Sequence, residues 1–290
     1  MIAYLLPYKQ KQISDKKFST QNIKYKSISE LFPNKDYLFF ESGKKAIHYI
    51  ISILGLQRED EVYIDTTSNS SFVTTCVSAT IFNYCKISRV LTEKTKLIWV
   101  IHEFGFPNKR LEGLLEYSKT NDIPTVEDSA HSLNGFYNNH RLGTRADFGL
   151  YSLPKSFPIQ FGGLLIATRL NKKNCNFDET IHGSLLNRFN NNLCKLIIPL
   201  GDARRNNYFQ YLEQFKGAKE IFQLTPSIEP FVFGFLNEMY KEVYDEIDGR
   251  FCELARTYVN NWLLLPVNSY IEKKQILAVA KRVKAYACKF

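Results

Sequence analysis

Most of the marks of a metal, membrane or nucleic-acid protein are missing from these 290 residues. None of the six cysteines (Cys76, Cys85, Cys175, Cys194, Cys252, Cys288) stands in a C-x-x-C pair. The five histidines (His48, His102, His131, His140, His182) include no H-x-x-x-H spacing. A zinc site needs such donors clustered, so no metal is expected. Scattered thiols without a secretory leader read as reduced packing residues. The opening apolar run, residues 1–6, stops at Pro7, and residues 196–200 form no longer stretch. Neither approaches the roughly 20 apolar residues that span a bilayer, so a soluble, cytoplasmic protein is expected. There is no internal repeat and no low-complexity linker. The absence of a G-x-G-x-x-G turn argues against a dinucleotide-binding module.

What is present is ordinary globular material, 44% hydrophobic and 23% charged. The net charge of +9 comes from lysines dense before residue 46 and after residue 272. They are interleaved with acids, and no helix-turn-helix or RNP-type signature accompanies them, so nucleic acid is not an expected partner. A lysine-rich surface favours solubility. It can also steer an anionic substrate, such as a nucleotide diphosphate sugar, toward a basic cleft.

From about residue 44 to 170, short apolar runs alternate with helical periodicity. Ile47, Ile50, Ile51 and Leu54 share one helical face over 44–56, ended by Gly55. Strands are expected at 61–64, 97–101, 124–126, 148–151 and 163–167, and helices at 70–82 and 110–119. The continuous apolar run Leu97-Ile98-Trp99-Val100-Ile101 is that of a strand buried on both faces. Such alternation predicts an α/β fold with a mostly parallel sheet between helices. After about residue 185 the pattern turns to polar helices with a strand near 231–236. Residues 1–185 are therefore expected to form a large domain with an N-terminal arm, and 186–290 a smaller α+β domain.

Three segments carry chemistry. Glu41-Ser42-Gly43-Lys44 stands before the first clear helix. A small-residue turn there presents free N–H groups and the positive end of the dipole, which suits a phosphate; a plain N-cap serine gives the same letters. Val126-Glu127-Asp128-Ser129-Ala130-His131 puts an acid at the end of a buried strand. It can hold a ring nitrogen protonated, or equally cap a helix or close a buried ion pair. Tyr151-Ser152-Leu153-Pro154-Lys155, followed by Gly162-Gly163, brings a hydroxyl and an amine to one strand end. A partly desolvated lysine loses its proton more easily and can form a Schiff base, whereas an exposed one is only a surface charge.

Taken in order, these segments resemble the DegT–StrS family of pyridoxal-phosphate (PLP)-dependent sugar aminotransferases, of fold type I. Ser42-Gly43-Lys44 with Ala46 is similar to the family's S-G-T-x-A-[LI]. Residues 61–79 are similar to E-V-I-x-P-x-x-T-F-x-A-T, and His102-Glu103-Phe104-Gly105-Phe106-Pro107 to H-L-Y-G-x-P. Residues 126–135 resemble V-I-E-D-A-A-[QH]-A-x-G, residues 143–163 the segment holding S and K before G-G, and Leu265-Pro266-Val267-Asn268 the family's L-P-[VI]-x-P. The resemblance implies a fold-type-I transferase with a smaller C-terminal α+β domain and pyridoxal 5'-phosphate as cofactor. It makes Lys155 the cofactor-bearing lysine, Asp128 the partner of the pyridine nitrogen and His131 a neighbour of the ring hydroxyl. Phe72 becomes the stacking aromatic, and Ser42, Gly43, Lys44 and Ser152 the phosphate ligands. It further implies an amino-acid donor (glutamate), a nucleotide-linked keto-sugar acceptor destined for a surface polysaccharide or glycan, and a homodimer.

The chain departs from the family pattern at several points. Lys44 replaces a threonine, Asp65 replaces a proline, and the Ser152–Lys155 interval is shorter. The N-x-R motif survives only as Asn187-Arg188, and the C-terminal half is short. A member shortened in this way could also hold the cofactor without transaminating, as a scaffold or regulator. Sugar dehydratases of this fold carry histidine where this chain has Lys155.

Overall fold

The structure is a computed structural model that describes residues 25–70, 73–170, 177–236, 255–256 and 262–286. In chain order the first elements are α1 (Ile28–Leu31), β1 (Asp36–Phe40), α2 (Gly43–Ile53), β2 (Glu61–Thr66), α3 (Thr75–Phe82) and β3 (Lys86–Ser88). They are followed by β4 (Thr95–Ile101), α4 (Leu111–Asn121) and β5 (Thr125–Asp128). A hairpin of β6 (Phe136–Tyr137) and β7 (His140–Arg141) leads to β8 (Phe148–Ser152), α5 (Leu153–Ser156) and β9 (Gly163–Ala167). Then come α6 (Glu179–Arg188), α7 (Ile197–Gln214), β10 (Val232–Leu236), β11 (Ala255–Arg256), β12 (Trp262–Pro266) and α8 (Lys273–Tyr286).

Seven strands form one sheet in the order β1-β9-β8-β5-β4-β2-β3. β9 runs antiparallel to both its neighbours, and every other pair is parallel. This is the mostly parallel α/β sheet expected from the alternation of runs. β4 is buried on both faces. Leu97, Trp99 and Ile101 pack with Ala46, Ile47 and Ile50 of α2, while Ile98 and Val100 pack with Leu111 and Leu114 of α4. Side chains alternate across a strand, so one apolar run serves two helical layers.

Element ends differ from expectation where local stereochemistry competes. The helix expected over 70–82 begins at Thr75, with Thr74 at its cap in an extended conformation. The β-branched Val73, Thr74 and Thr75 lose side-chain freedom in a helix, which disfavours an earlier start. α4 runs past Lys119 to Asn121 and stops where Asp122 turns left-handed (φ 53°), its N–H returning to the Ser118 carbonyl.

A second sheet, β10-β12-β11, is antiparallel and lies within 232–266. Tyr208 and Tyr211 of α7, Phe215 just beyond its end, and Ile276, Val279 and Val283 of α8 cover it. Phe104 and Phe106, from the loop after β4, join the same cluster and tie it to the large sheet. Each such buried side chain contributes about 1.5–3 kcal/mol.

Two buried charges are satisfied in different ways. Asp65, which stands in place of a proline, accepts from Asn108 Nδ2 at 2.8 Å and from Arg110 Nε at 2.9 Å. Arg204 of α7 and Glu229 are both buried and paired at 3.0 Å. Glu229 also accepts the Leu133 and Asn134 N–H groups at 3.1 and 2.8 Å, and Arg204 donates to the Lys155 carbonyl. Among the described residues no helix is long and apolar enough to cross a membrane, and no group of three His, Cys, Asp or Glu could hold a metal ion.

Removing one partner of a buried pair leaves the other charge uncompensated, at a cost of about 3–5 kcal/mol. Arg204→Met is therefore expected to lower the unfolding free energy by about that amount in urea titration. An unchanged midpoint would contradict the pairing.

Candidate active site

β1, β8, β5, β4 and β2 all end on one edge of the sheet, where open α/β folds take their ligands. The register brings the ends together. Phe40 and Ser152 both pair with Gly163, while Asp128 pairs with Leu150 and with Ile101. After β1 the chain turns through Glu41 to Ser42, which caps α2. Its backbone is extended (φ −156°, ψ 162°) and its hydroxyl accepts the Lys45 N–H at 3.3 Å. The N–H groups of Gly43 and Lys44 then have no intrahelical acceptor and lie at the positive end of the helix. A Cβ on Gly163 would stand 2.6 Å from the Ser42 carbonyl, so only glycine lets the β9 backbone come this close. Around Gly43 the space where a side chain would stand is open. Lys44 is exposed on the first turn. The Gly162 N–H donates to the Glu41 carbonyl at 2.8 Å, tying the glycine pair to the same edge.

Lys155 lies in the single turn of α5, three residues beyond Ser152, and is half-buried. Its Nζ is 3.1 Å from His131 Nε2. His131 is buried between the rings of Phe104 and Phe231, with centroids 5.5 and 4.6 Å away. Its Nδ1 accepts the Phe104 N–H at 3.3 Å. Burial, aided by the Arg204 cation and by Lys155 when it is protonated, holds the imidazole well below its ordinary pKa, so it is neutral at pH 7. A neutral ring has one N–H. With Nδ1 accepting, that hydrogen is on Nε2 and points at the amine. In that tautomer the ring N–H favours the uncharged form of the amine. Burial lowers the lysine pKa in the same direction, against the opposing influence of Asp128 and Cys76.

The backbone that presents this N–H is unusual. Phe104 has φ 54°, a left-handed conformation that a bulky residue rarely adopts and that costs of order 1–3 kcal/mol. Gly105 follows at φ 86°, where a Cβ would run into the Glu229 carbonyl. The Phe231 N–H in turn donates to the Phe104 carbonyl at 2.8 Å. The turn is thus clamped by the segment that also carries Glu229.

Asp128 is buried at the end of β5. Its Oδ1 accepts the Ala130 N–H at 3.0 Å and its Oδ2 the Trp99 indole N–H at 3.1 Å. Burial pushes its carboxyl above the usual range; the Lys155 cation, the Ala130 N–H, Trp99 and His102 all act against that rise. Behind it, His102 Nε2 meets Glu127 Oε1 at 2.9 Å and His102 Nδ1 accepts the Asn108 N–H at 3.0 Å. Burial would raise the Glu127 pKa, but His102 and the Gly143 and Arg145 N–H groups outweigh it and hold the carboxylate low. This buried pair fixes the ends of β4 and β5.

Of the residues singled out in the sequence, Asp128, His131 and Lys155 therefore form one cluster, and Ser42, Gly43 and Ser152 lie on adjoining strand ends. Phe72 lies outside the described residues. Asn187 and Arg188 are exposed at the end of α6. Trp99, Phe104, Phe231, Arg204 and Glu229 were not anticipated. An indole inside a strand reads as core, and contacts made across 25 to 95 residues leave no local pattern.

Residues 26–166 match the DegT/DnrJ/EryC1/StrS aminotransferase family. The chain is 24% identical over 140 residues to GDP-perosamine synthase of Escherichia coli O157:H7, covering 43% of this chain and 38% of that one. It is 26% identical over 138 residues to a UDP-4-amino-4-deoxy-L-arabinose–oxoglutarate aminotransferase of Shewanella sediminis, covering 42% and 35%. The matched part thus spans little more than a third of either curated relative's length. In fold it is similar to a DegT DnrJ EryC1 StrS aminotransferase from Brucella abortus (TM-score 0.70, 14% identical, 90% and 88% of the two chains). It is also similar to the PLP form of a Streptococcus pneumoniae protein (TM-score 0.68, 16% identical, 88% and 87%).

The lowered pKa of Lys155 gives a pH signature. Between that lowered value and the unfolded value near about 10.4, the unfolded chain binds the extra proton, so stability rises with pH across that window and falls as pH drops through it. In protein with the Lys155 amine free, wild type is expected to gain stability relative to Lys155→Met as pH rises through that window toward about pH 10. Parallel stability curves for the two proteins would contradict the lowered pKa.

Proposed function

We propose that this chain is a PLP-dependent aminotransferase moving an amino group from an amino acid, glutamate, to a keto-sugar carried on a nucleotide. The observation that carries the reading is Lys155. Its free-base amine sits 3.1 Å from His131, on the strand edge that also holds a buried carboxylate and an open helix N-terminus.

The residues fit the cofactor on three counts. Gly163 allows a close backbone at Ser42, and the open space at Gly43 leaves room for a phosphate on the free N–H groups. Lys44 adds positive charge and Ser152 a hydroxyl. Asp128 has one oxygen bound to Ala130 and the other to Trp99, which leaves further lone pairs for a ring N–H. A neutral amine stands ready for a carbonyl.

Pyridoxal phosphate, when bound, supplies a carbonyl that condenses with amines and a ring that draws electrons from the substrate carbon. Lys155 would hold the carbonyl through its amine and, when that amine is free, would serve as the base and acid that moves a proton at Nζ. Asp128 would hold the ring nitrogen in its protonated form, and His131 would stand beside the ring hydroxyl, as the family resemblance implies. Phe72 takes the stacking role that the family resemblance gives it. The nucleotide-sugar acceptor is supported by the names of the two curated relatives and by the net charge of +9, which attracts phosphate esters. The product would enter surface polysaccharide or glycan synthesis, and a second copy of the chain would complete the site as a homodimer.

Incubation with PLP, borohydride reduction and peptide mapping should place a pyridoxyl group on Lys155. With glutamate and a panel of nucleotide keto-sugars, mass spectrometry should find the amino sugar and 2-oxoglutarate. Lys155→Ala should lose at least about a hundredfold in turnover, and wild-type turnover in that variant would contradict the assignment. Uptake of PLP on Lys155 with no response to any amino acid would point instead to a member acting as scaffold or regulator.

A further inference from the structure

Trp99 has two features that its packing alone does not require. It is fully buried in β4, and its only polar atom, the indole N–H, is directed at the Asp128 carboxylate at 3.1 Å. The register explains the reach. Trp99 pairs with Val126 on the parallel neighbour β5, so Asp128, two residues on, lies on the same face of the sheet. Diagonal neighbours of this kind are within reach of an aromatic side chain. The other carboxylate oxygen is taken by the Ala130 N–H, a local turn bond. Two donors on two different oxygens fix both the position and the rotation of the carboxylate. An indole can only donate, so this bond favours the charged form of Asp128.

We infer that Trp99 is the positioning residue for Asp128, holding the carboxylate ionised and turned toward the ring nitrogen of the cofactor. The inference rests on the reading of Lys155 and Asp128 as cofactor residues. No covalent step is involved. What Trp99 contributes is a charge-assisted hydrogen bond, and a hydrogen bond to a charged group is worth enough to change a binding constant about ten- to a hundredfold. Its effect should be felt only by a ligand that engages Asp128 through a protonated ring nitrogen.

That selectivity separates the inference from a merely structural role. Affinity is measured by equilibrium dialysis for PLP and for its deaza analogue, in which the ring nitrogen is replaced by C–H. Trp99→Phe keeps most of the buried ring but not the donor. It should bind PLP at least about tenfold more weakly than wild type, with affinity for the deaza analogue changed less than about twofold by this argument. Equal weakening toward both ligands, or no weakening toward either, overturns the inference. Trp99→His retains a ring N–H and should recover part of the PLP affinity, and a variant no better than Trp99→Phe counts against it; if the phenylalanine variant does not fold, Trp99→Met, which also lacks a donor, takes its place. Asp128→Asn is the control for the underlying reading. It should weaken PLP far more than the deaza analogue. If it affects neither, the cofactor assignment itself fails; if it is selective while Trp99→Phe is not, only the role of Trp99 is lost.

Discussion

The hydrogen bond from His131 Nε2 to the Lys155 amine is the contact around which the site is organised. It has a direction, because the Phe104 N–H occupies the other ring nitrogen. That direction favours the uncharged lysine, as burial also does. A charged ammonium would leave the imidazole N–H facing a cation, which the buried setting penalises. The chain maintains the arrangement through strain and through a buried ion pair. Phe104 is held left-handed, and Arg204 and Glu229 bind the Lys155 carbonyl and the backbone after His131. Neither device would persist unless the surrounding packing over-determined it.

Each piece comes from a different part of the fold. β5 delivers Asp128 and, just beyond it, His131. β8 delivers Ser152 and, through one helical turn, Lys155. β4 delivers Trp99 and the turn at Phe104. α7 and the segment before β10 brace the cluster from the side of the second sheet. Lys155 adjoins His131 and feels the charge of Asp128; burial lowers the pKa of the first and raises that of the second.

Local pattern made much of the fold legible. β4 was visible as a continuous apolar run because both its faces are covered, and α2 as a helical face of isoleucines closed by Gly55. The start of α3 was not, because three β-branched residues in a row oppose helix entry in a way that composition does not quantify. In the site, Asp128 and Lys155 stood out at strand ends, and His131 entered only through the family resemblance. Trp99 could not, because its function depends on which residue lies diagonally across on β5. Arg204 and Glu229 are 25 residues apart, and Arg204 reaches the carbonyl of a lysine 49 residues before it. Asp65 looked like a defect where a proline was expected. It is explained by Asn108 and Arg110, which clamp it from the next loop.

The most direct test of the account is a crystal structure of the protein grown with pyridoxal phosphate. The account predicts continuous density from Lys155 Nζ into the cofactor, its ring nitrogen at hydrogen-bonding distance from Asp128, and its phosphate against the N–H groups of Gly43 and Lys44. A cofactor joined to a different lysine, or lodged with its ring nitrogen away from Asp128, would contradict it.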